Sequence, residues 1–468
     1  MKIKAVSSQL FSESGLRLDC NPYMGGALEA KHTLKLLGDK CIHLSELTKG
    51  YKGGIYNGPV FKRNFVESAE AGVPFLTSAT MLRADLREVP FLSAKDAKSS
   101  KLNYLELKPG MIMISCSGAI GNMVYVREEM DGFWSCQDQL KVCIDPQKVS
   151  SGYVYAFLNS KYGLPIITSG TYGAIIPHLE PVHIANLPVP FISKDIELHA
   201  HKLVEKASDF KTQFVRINKQ LSERCEKLIG WDKHRPKDIG VKTNIVSSKM
   251  LKTSKRMDVL YFSKDEEIIS HLLEKGSWKY LSDVCLINKP GMFKRIITSK
   301  EDGGIPFHTG SELFLMDAKP KYYVSKATSN IEQCILSPGW VLIQGFGQRG
   351  GLIGRVMLTT ESLNGAAATD LQIQLKPNSK YEAGFIFSYL NSEPGYKSII
   401  RLPVGGSIPN LTPRDISNVK IPWPDKDVRR EIGELAIKAW ELRDQALECE
   451  KQAIKMVEDA IEAAAPKH

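Results

Sequence analysis

The sequence lacks the short motifs that mark common catalytic and metal-binding sites. It contains no Gly-x-x-x-x-Gly-Lys-[Ser/Thr] loop, which argues against a nucleotide site of that type. It also contains no His-Glu-x-x-His pair, no Cys-x-x-Cys pair and no clustered His and Cys, which argues against a zinc site. We therefore expect this chain to carry no catalytic residues, no metal and no cofactor.

Disulfide frameworks and membrane segments are also not expected. The nine cysteines are scattered and odd in number, which fits a reducing cytoplasm. A long apolar and uncharged run, residues 111–126, is broken by Ser and Gly and is too short to span a bilayer. The first residues have no apolar stretch typical of a secretory signal. We expect a cytoplasmic protein without membrane contact.

The charge balance is basic. A net charge of +10 and a pI of about 8.9 fit a polyanionic partner, although many soluble proteins share such values. With 468 residues, of which 43% are hydrophobic, the chain is long enough for two or three domains with their own cores.

The most informative pattern is an internal repeat. Ile176-Pro177-His178-Leu179 returns as Ile408-Pro409-Asn410-Leu411, at a sequence offset of 409 − 177 = 232. The same offset relates two further pairs of segments: Phe61-Lys62-Arg63 with Phe293-Lys294-Arg295, and Gly72-Val73-Pro74-Phe75 with Gly304-Ile305-Pro306-Phe307. The chain therefore consists of two similar halves.

Each half begins with short apolar runs that are separated by Gly and Pro. Residues 111–114 and 141–144 are predicted to be strands, and residues 153–159 a short helix. The second half repeats this pattern at residues 340–343, 371–375 and 384–391. We predict the α+β class, with one such domain in each half, rather than a regular βαβ array.

Each half closes with a long heptad-like stretch. Apolar residues recur at steps of three and four from Leu203 to Leu228, and more strictly from Ile432 to Ala460. We predict helices over residues 195–228 and 427–465 that pair as an antiparallel coiled coil within the chain. Alternatively, each helix covers its own domain, or the helices pair between chains. The predicted segments are 1–191 (first domain), 192–230 (first helix), 231–423 (second domain) and 424–468 (second helix).

A second stripe widens the apolar face of the last helix. Trp440, Leu447, Ile454 and Ile461 recur every seven residues. The stripe predicts either contact with the domains of this chain or a docking surface for another subunit.

Paired cations and glycine-rich turns are the candidate DNA-binding elements. Lys62-Arg63 and Lys294-Arg295 follow a Gly-Pro or Pro-Gly turn, from which they can reach phosphates or guanine edges. A solvated loop charge is the alternative. Glycine-rich turns after equivalent strands allow close approach of the backbone to a ligand, or simply make turns. Their candidate residues are Ser117, Gly118 and Asn122 in the first half, and Gln344, Gln348, Arg349 and Arg355 in the second.

The loops before Ile-Pro-x-Leu differ in sequence although the flanking segments match. This is expected if two similar modules read different DNA sequences. The candidate residues at these loops are Thr171, Tyr172 and His178 in the first half, and Arg401, Ser407 and Asn410 in the second.

Taken in order, these segments resemble the specificity (S) subunit of type I restriction-modification systems. The resemblance rests on the Ile-Pro-x-Leu segments, on Leu-Asn-Ser at 158–160 and 390–392, and on the proline-containing strands that lead into long helices. It covers nearly the whole chain. It implies that each domain is a target recognition domain reading one half of a bipartite site in double-stranded DNA, and that the helices act as a ruler.

The resemblance also implies partners. The helices would hold DNA adenine methyltransferase subunits, two of them, and a restriction or translocase subunit could join the assembly. Methylation and cleavage would then belong to other chains. Alternative interpretations are a coiled-coil scaffold that binds protein, a specificity chain of a type IIB-like or other phage-defence methyltransferase system, and an enzyme with an unrecognised nuclease site. Salt-dependent DNA binding would separate the first of these from the DNA-reading interpretation.

Overall fold

The computed structural model describes residues 4–13, 21–87, 89–169, 178–236 and 244–466. The chain forms two compact units, one made of Met1–Thr212 with Gln445–His468 and the other of Gln213–Asp444. Each unit contains sheets, short helices and part of two long helices. The predicted α+β class with two similar domains is confirmed.

In the first unit, the described strands form three sheets. The strands are β1 Cys41–His43, β2 Ile55–Tyr56, β3 Phe65–Val66, β4 Gly72–Leu76, β5 Phe91–Ser93, β6 Ile112–Ser115, β7 Met123–Tyr125, β8 Trp134–Ser135, β9 Gln139–Val142 and β10 Pro188–Pro190. Their orders are β2-β9-β6-β7, β3-β5-β4-β8 and β1-β10.

The helices of the first unit pack on both of its four-stranded sheets. They are α1 Ser8–Glu13, α2 Asn21–Met24, α3 Ala27–Leu36, α4 Ala94–Ala97, α5 Ser151–Asn159, α6 Gly163–Ser169, α7 Pro181–Ala185 and the start of the long helix α8 Lys194–Ile229. Ile112 and Ile114 face the main core with α5, whereas Met113 faces a second cluster with Val124. Both faces of β6 are buried, so its residues Ile112, Met113 and Ile114 are all apolar instead of alternating with polar ones.

The second unit repeats this arrangement. Its strands are β11 Trp278–Tyr280, β12 Cys285–Asn288, β13 Ile297–Thr298, β14 Ile305–His308, β15 Tyr322–Val324, β16 Val341–Gln344, β17 Val356–Leu358, β18 Ala367–Ala368, β19 Gln372–Pro377 and β20 Lys420–Pro422. Their orders are β12-β19-β16-β17, β13-β15-β14-β18 and β11-β20, which match the first unit strand for strand. Its helices are α9 Trp231–His234, α10 Ser248–Ser254, α11 Lys264–Glu274, α12 Gly310–Leu313, α13 Lys380–Leu390, α14 Glu393–Ile400, α15 Pro413–Ser417 and the second long helix α16 Lys426–Ala464.

Each domain packs on the long helix that follows it, at the same point of the repeat. A side chain at Gly384 of α13 would place its Cβ 2.2 Å from the Gly433 carbonyl oxygen of α16, so only glycine permits this approach. The equivalent positions in the first unit are Gly152 of α5 and His201 of α8, where the Gly152 amide donates to His201 Nδ1 at 3.3 Å. In both units a glycine in the short helix lets it approach the long helix closely.

The long helices pair with each other within each unit. In the first unit, Ala207 of α8 packs with Ala446 and Cys449 of α16. In the second unit, Phe214 of α8 packs edge-on against Trp440 of α16, and Arg224 lies 2.5 Å from Glu431. Phe214 comes before Arg224 along α8, whereas its partner Trp440 comes after Glu431 along α16, so the two helices run in opposite directions. The predicted antiparallel pair within one chain is therefore confirmed.

A largely buried ion pair adds to this helix contact in the first unit. Lys211 of α8 lies 2.6 Å from Glu450 of α16, and both side chains are shielded from solvent. The Tyr155 hydroxyl of α5 also donates to Glu450, at 3.2 Å. The Glu450 carboxylate of α16 therefore contacts both α8 and the first domain.

The second apolar stripe of α16 is covered by this chain. Trp440 is buried between Phe214 and Phe387 in the second unit. The remaining positions lie in the first unit, where Leu447 is buried, Ile461 is in the main core and Ile454 packs against it. These contacts agree with the interpretation that the stripe meets the chain's own domains, and they leave little surface there for a further subunit.

Candidate nucleic-acid interface

Several loops of the first unit meet at one end of the β2-β9-β6-β7 sheet. We call residues 57–64, 115–122 and 136–139, with His178, the first loop cluster. Ser117 pairs with His178 as an isolated antiparallel bridge. The Cys116 amide donates to the carbonyl oxygen of Asp138 at 2.9 Å. The glycine-rich turn and His178 of the Ile-Pro-x-Leu segment, predicted separately from the sequence, therefore lie side by side.

Arg63 joins the remaining loop to this cluster. Its guanidinium donates to Gln137 Oε1 at 3.0 Å, lies 3.5 Å from Asp138 Oδ2 and stacks over Phe75 at 5.5 Å. The side chain retains about 29% of its exposure, so it is held mainly by internal partners. Lys62, the neighbouring residue, is exposed. The cation pair is therefore divided into one residue that fixes the loop and one that faces solvent.

The second unit has the same arrangement, which we call the second loop cluster: residues 289–296, 345–355, 369–372 and 401–410. Phe346 pairs with Asn410 as an isolated bridge, as Ser117 does with His178. The Gly345 amide donates to the Leu371 carbonyl at 3.0 Å. Lys289 Nζ donates to Asn410 Oδ1 at 3.1 Å, which joins the first and last of these loops.

Arg295 repeats the role of Arg63. Its guanidinium donates to Asp370 Oδ1 at 3.0 Å and stacks over Phe307 at 5.0 Å. Lys294, like Lys62, is exposed. The two arginines and the two phenylalanines occupy equivalent positions of the repeat, and the strand registers place Asp370 at the position of Gln137, the other partner of Arg63.

The other predicted residues fall into an exposed and an enclosed group. Gly118, Asn122, His178, Gln348, Arg349 and Ser407 are exposed, although Arg349 also donates to the Pro403 carbonyl at 2.9 Å. Gln344 is buried and donates to the Phe346 carbonyl at 2.7 Å, so it supports the turn from inside. Arg401 pairs with Glu266 at 2.9 Å, and Arg355 stacks over Tyr396 at 3.9 Å. Thr171 and Tyr172 lie outside the described residues.

Sequence reasoning did not identify Gln137, Asp138 and Asp370 as parts of these clusters. Asp138 and Asp370 are not at equivalent positions, because the strands next to them are related by an offset of 367 − 134 = 233, so the repeat gave no signal for these two acids. The contact between Arg63 and Asp138 could not be predicted from the sequence, because the two residues lie in different loops that are far apart along the chain.

A buried lysine holds the backbone of residues 136–139 in the first loop cluster. Lys141 is fully buried on β9, and its Nζ donates to the carbonyl oxygens of Cys136 at 2.9 Å and Gln139 at 3.1 Å. Burial lowers the pKa of Lys141 to about 8. In the second unit Gln374 of β19 is likewise buried, and it donates to the Gln333 carbonyl.

Within the described part of the chain, no three His, Cys, Asp or Glu side chains group as metal ligands would. Among the same residues, no helix combines the length and apolar character needed to cross a membrane.

The family comparison bears on the second half of the chain. Residues 276–435 match the family model of the type I restriction modification DNA specificity domain. The second half therefore contains a type I DNA specificity domain. The predicted resemblance is confirmed there, and the strand orders of the first unit repeat those of the specificity domain. No curated protein matches the chain significantly.

Solved structures with similarity to the chain include S subunits. The type I restriction-modification S subunit of M. genitalium is 12% identical, with 92% of this chain and 96% of that chain covered and a TM-score of 0.39. The HsdS subunit of Thermoanaerobacter tengcongensis is 13% identical, with 91% and 96% covered and a TM-score of 0.24. A structure described for complex assembly and conformational transition of the type I R-M system is 14% identical, with 90% and 97% covered and a TM-score of 0.26.

Proposed function

We propose that this chain is the non-catalytic DNA-recognition subunit of a type I restriction-modification complex or of a related defence complex. Residues 1–191 and 231–423 serve as target recognition domains, and each reads one half of a bipartite site in double-stranded DNA. Residues 192–230 and 424–468 form the helices that set the distance between half-sites and dock DNA adenine methyltransferase subunits, two of them, with room for a restriction or translocase subunit. The complex acts in the cytoplasm.

One observation carries the proposal: the same loop cluster occurs in both units. In both units an arginine that rests on a ring and pairs with an acid fixes the loop, and the lysine beside it faces solvent. An exposed lysine on a fixed loop is expected in both units if both units bind the same kind of polyanion. The residues around it differ between the units, since His178 in the first stands at the position of Asn410 in the second. A shared frame with different exposed side chains suits two modules that read different sequences.

The proposal is tested by equilibrium binding of the full chain, with its methyltransferase partners, to duplex DNA over a range of salt concentrations. Neutralisation of phosphates should make log K fall linearly with log salt, with a slope of about −0.9 per phosphate contact. Lys62→Ala and Lys294→Ala should each reduce that slope by about one. Lys451→Ala, which removes an exposed cation of α16, is the matched control and should leave the slope unchanged.

Transfer of a labelled methyl group is measured in parallel. The highly purified chain alone should transfer none, whereas the complex should methylate duplex DNA. A complex that binds DNA without salt dependence, or a chain that methylates alone, would contradict the proposal.

A further inference from the structure

Two apolar side chains project into solvent from equivalent positions of the two loop clusters. Val60 is 88% exposed and Met292 is 91% exposed. Their sequence offset, 292 − 60 = 232, is that of the repeat. A single exposed apolar residue is ordinary on a protein surface. Two at the same register, each within a loop of its candidate interface, call for an explanation.

The residues that follow fix each loop. Phe61 packs edge-on against Phe75, and Phe293 against Phe307, each at 6.2 Å between ring centroids. The guanidinium groups of Arg63 and Arg295 cover the same two inner rings and pair with Asp138 and Asp370. The backbone next to Val60 and Met292 is thus anchored on both a ring and an ion pair, while the two side chains themselves lie in water.

The order of residues along each loop is the same. An exposed apolar side chain is followed by an anchored phenylalanine, an exposed lysine and an anchored arginine. If the exposed lysine meets a phosphate, the apolar side chain two residues earlier is close enough to reach the edge of a nearby base. The edges of bases in the major groove offer polar groups, with one apolar exception, the 5-methyl group of thymine.

We propose that Val60 and Met292 are specificity-determining residues, each contacting the 5-methyl group of a thymine in its own half-site. This inference rests on the proposed function of the chain. Valine is short and stiff, whereas methionine is longer and unbranched. The two residues therefore differ in reach, so the thymine they select need not stand at the same place in the two half-sites.

The test uses the complete complex and duplexes selected from a randomised library. Each thymine of a selected duplex is replaced in turn by uracil, which lacks only the 5-methyl group. At one thymine of each half-site, uracil should weaken binding about fourfold, which corresponds to the ~0.8 kcal/mol of one buried methyl-sized group. The same duplexes are then measured with Val60→Ser, which removes both γ-methyl groups, and with Met292→Gln.

Each variant should abolish the uracil effect in one half-site and leave it intact in the other. Val428→Ser on α16 and Met250→Gln on α10 make the same chemical changes at other exposed positions and should leave both effects unchanged. A uracil effect that persists in both loop variants would overturn the inference. So would a uniform loss of affinity for all duplexes with bending of the DNA, since that is the signature of a wedge between base pairs.

Either of these two contradicting results would be measured with a complex that binds duplex DNA in a salt-dependent way, so the proposed function would still stand. If the wild-type complex selects no duplex at all, the proposed function fails, and that failure is distinct from a failure at Val60 and Met292.

Discussion

Arg295 and Asp370 form an ion pair at 3.0 Å that ties the loop before β13 to the loop before β19. In the first unit Arg63 makes a similar link, to Gln137 at 3.0 Å, which stands at the position of Asp370, and to Asp138 at 3.5 Å. Each arginine also covers a buried phenylalanine. The arginines are therefore placed to hold the loops in shape, and the adjacent lysines are the cations left for a ligand.

Lys294→Ala should therefore affect DNA binding, whereas Arg295→Ala should affect the stability of the fold. Lys294→Ala should reduce the salt dependence of DNA binding by about one phosphate without changing the free energy of unfolding. Arg295→Ala should lower the free energy of unfolding by about 1–2 kcal/mol, because a partly exposed ion pair and a ring contact are both lost. Urea unfolding and salt titration measure the two effects.

Lys300→Ala, at another exposed cation of the second unit, is the control for both measurements. Arg295→Lys should not restore full stability, since lysine lacks the planar group that stacks over Phe307. If Arg295→Ala instead left stability unchanged and reduced the salt slope by one, the guanidinium would be a phosphate ligand.

The protein is expected to lose stability in acid because a histidine of the second unit is buried in its neutral form. His308 is buried on β14, and burial lowers its pKa to about 4, with Glu312 and Asp317 opposing and Arg443 adding to that shift. The unfolded chain binds a proton near pH 6.5 that the folded chain rejects until about pH 4. Stability should therefore fall as the pH drops from about 6.5 to 4, by roughly 2–3 kcal/mol.

The repeat supplies the matched substitution. Leu76 is buried at the equivalent position of the first unit (308 − 76 = 232), so His308→Leu should fit and remove this pH dependence. His271→Leu, at an exposed site on α11, should retain it. Urea midpoints at several pH values between 7.5 and 4.5 decide the matter, and an unchanged pH dependence in His308→Leu would show that other groups cause it.

Features that depend on local periodicity were predicted well from the sequence. The long helices span 194–229 and 426–464, within one residue of the ranges predicted from their apolar repeats. Strands β6 and β16 lie within one residue, and β9 and β19 within about two, of the predicted apolar runs. These signals are local, because helix and strand periods can be read directly from neighbouring residues.

The direction of individual side chains was not predictable in the same way. Arg63 looked equivalent to Lys62 in sequence, yet its partner Asp138 belongs to a loop much later in the chain. Gln344 stands directly before a glycine-rich turn of the kind found in ligand loops, but its side chain points inward to the Phe346 carbonyl. Both outcomes depend on long-range packing, which composition and spacing do not encode.

If the paired helices set the distance between the two half-sites, a change in helix length should change the length of the DNA spacer. The helices' 36 and 39 residues correspond to roughly 54 and 58 Å at 1.5 Å per residue. The compact units divide after Thr212 on α8 and after Asp444 on α16. Insertion of one heptad at both points keeps the apolar repeat in phase and leaves each unit intact.

This double insertion should lengthen the preferred spacer by about three base pairs, because about 10.5 Å of helix is added and each base pair rises about 3.4 Å. Insertion in α8 alone is the control, and it should destabilise the pair by putting it out of register. A folded double-insertion variant that kept the original spacer would show that the helices do not set the distance.

The most direct test of the central claim is the sequence preference of the complete complex, obtained by selection from randomised duplexes. The wild-type complex should select two specific blocks separated by a non-specific spacer of fixed length. His178→Ala in the first loop cluster should relax one block only, and Gln348→Ala in the second should relax only the other. Selection of a single continuous block, or a change in both blocks from either variant, would contradict the account that each unit reads its own half of the site.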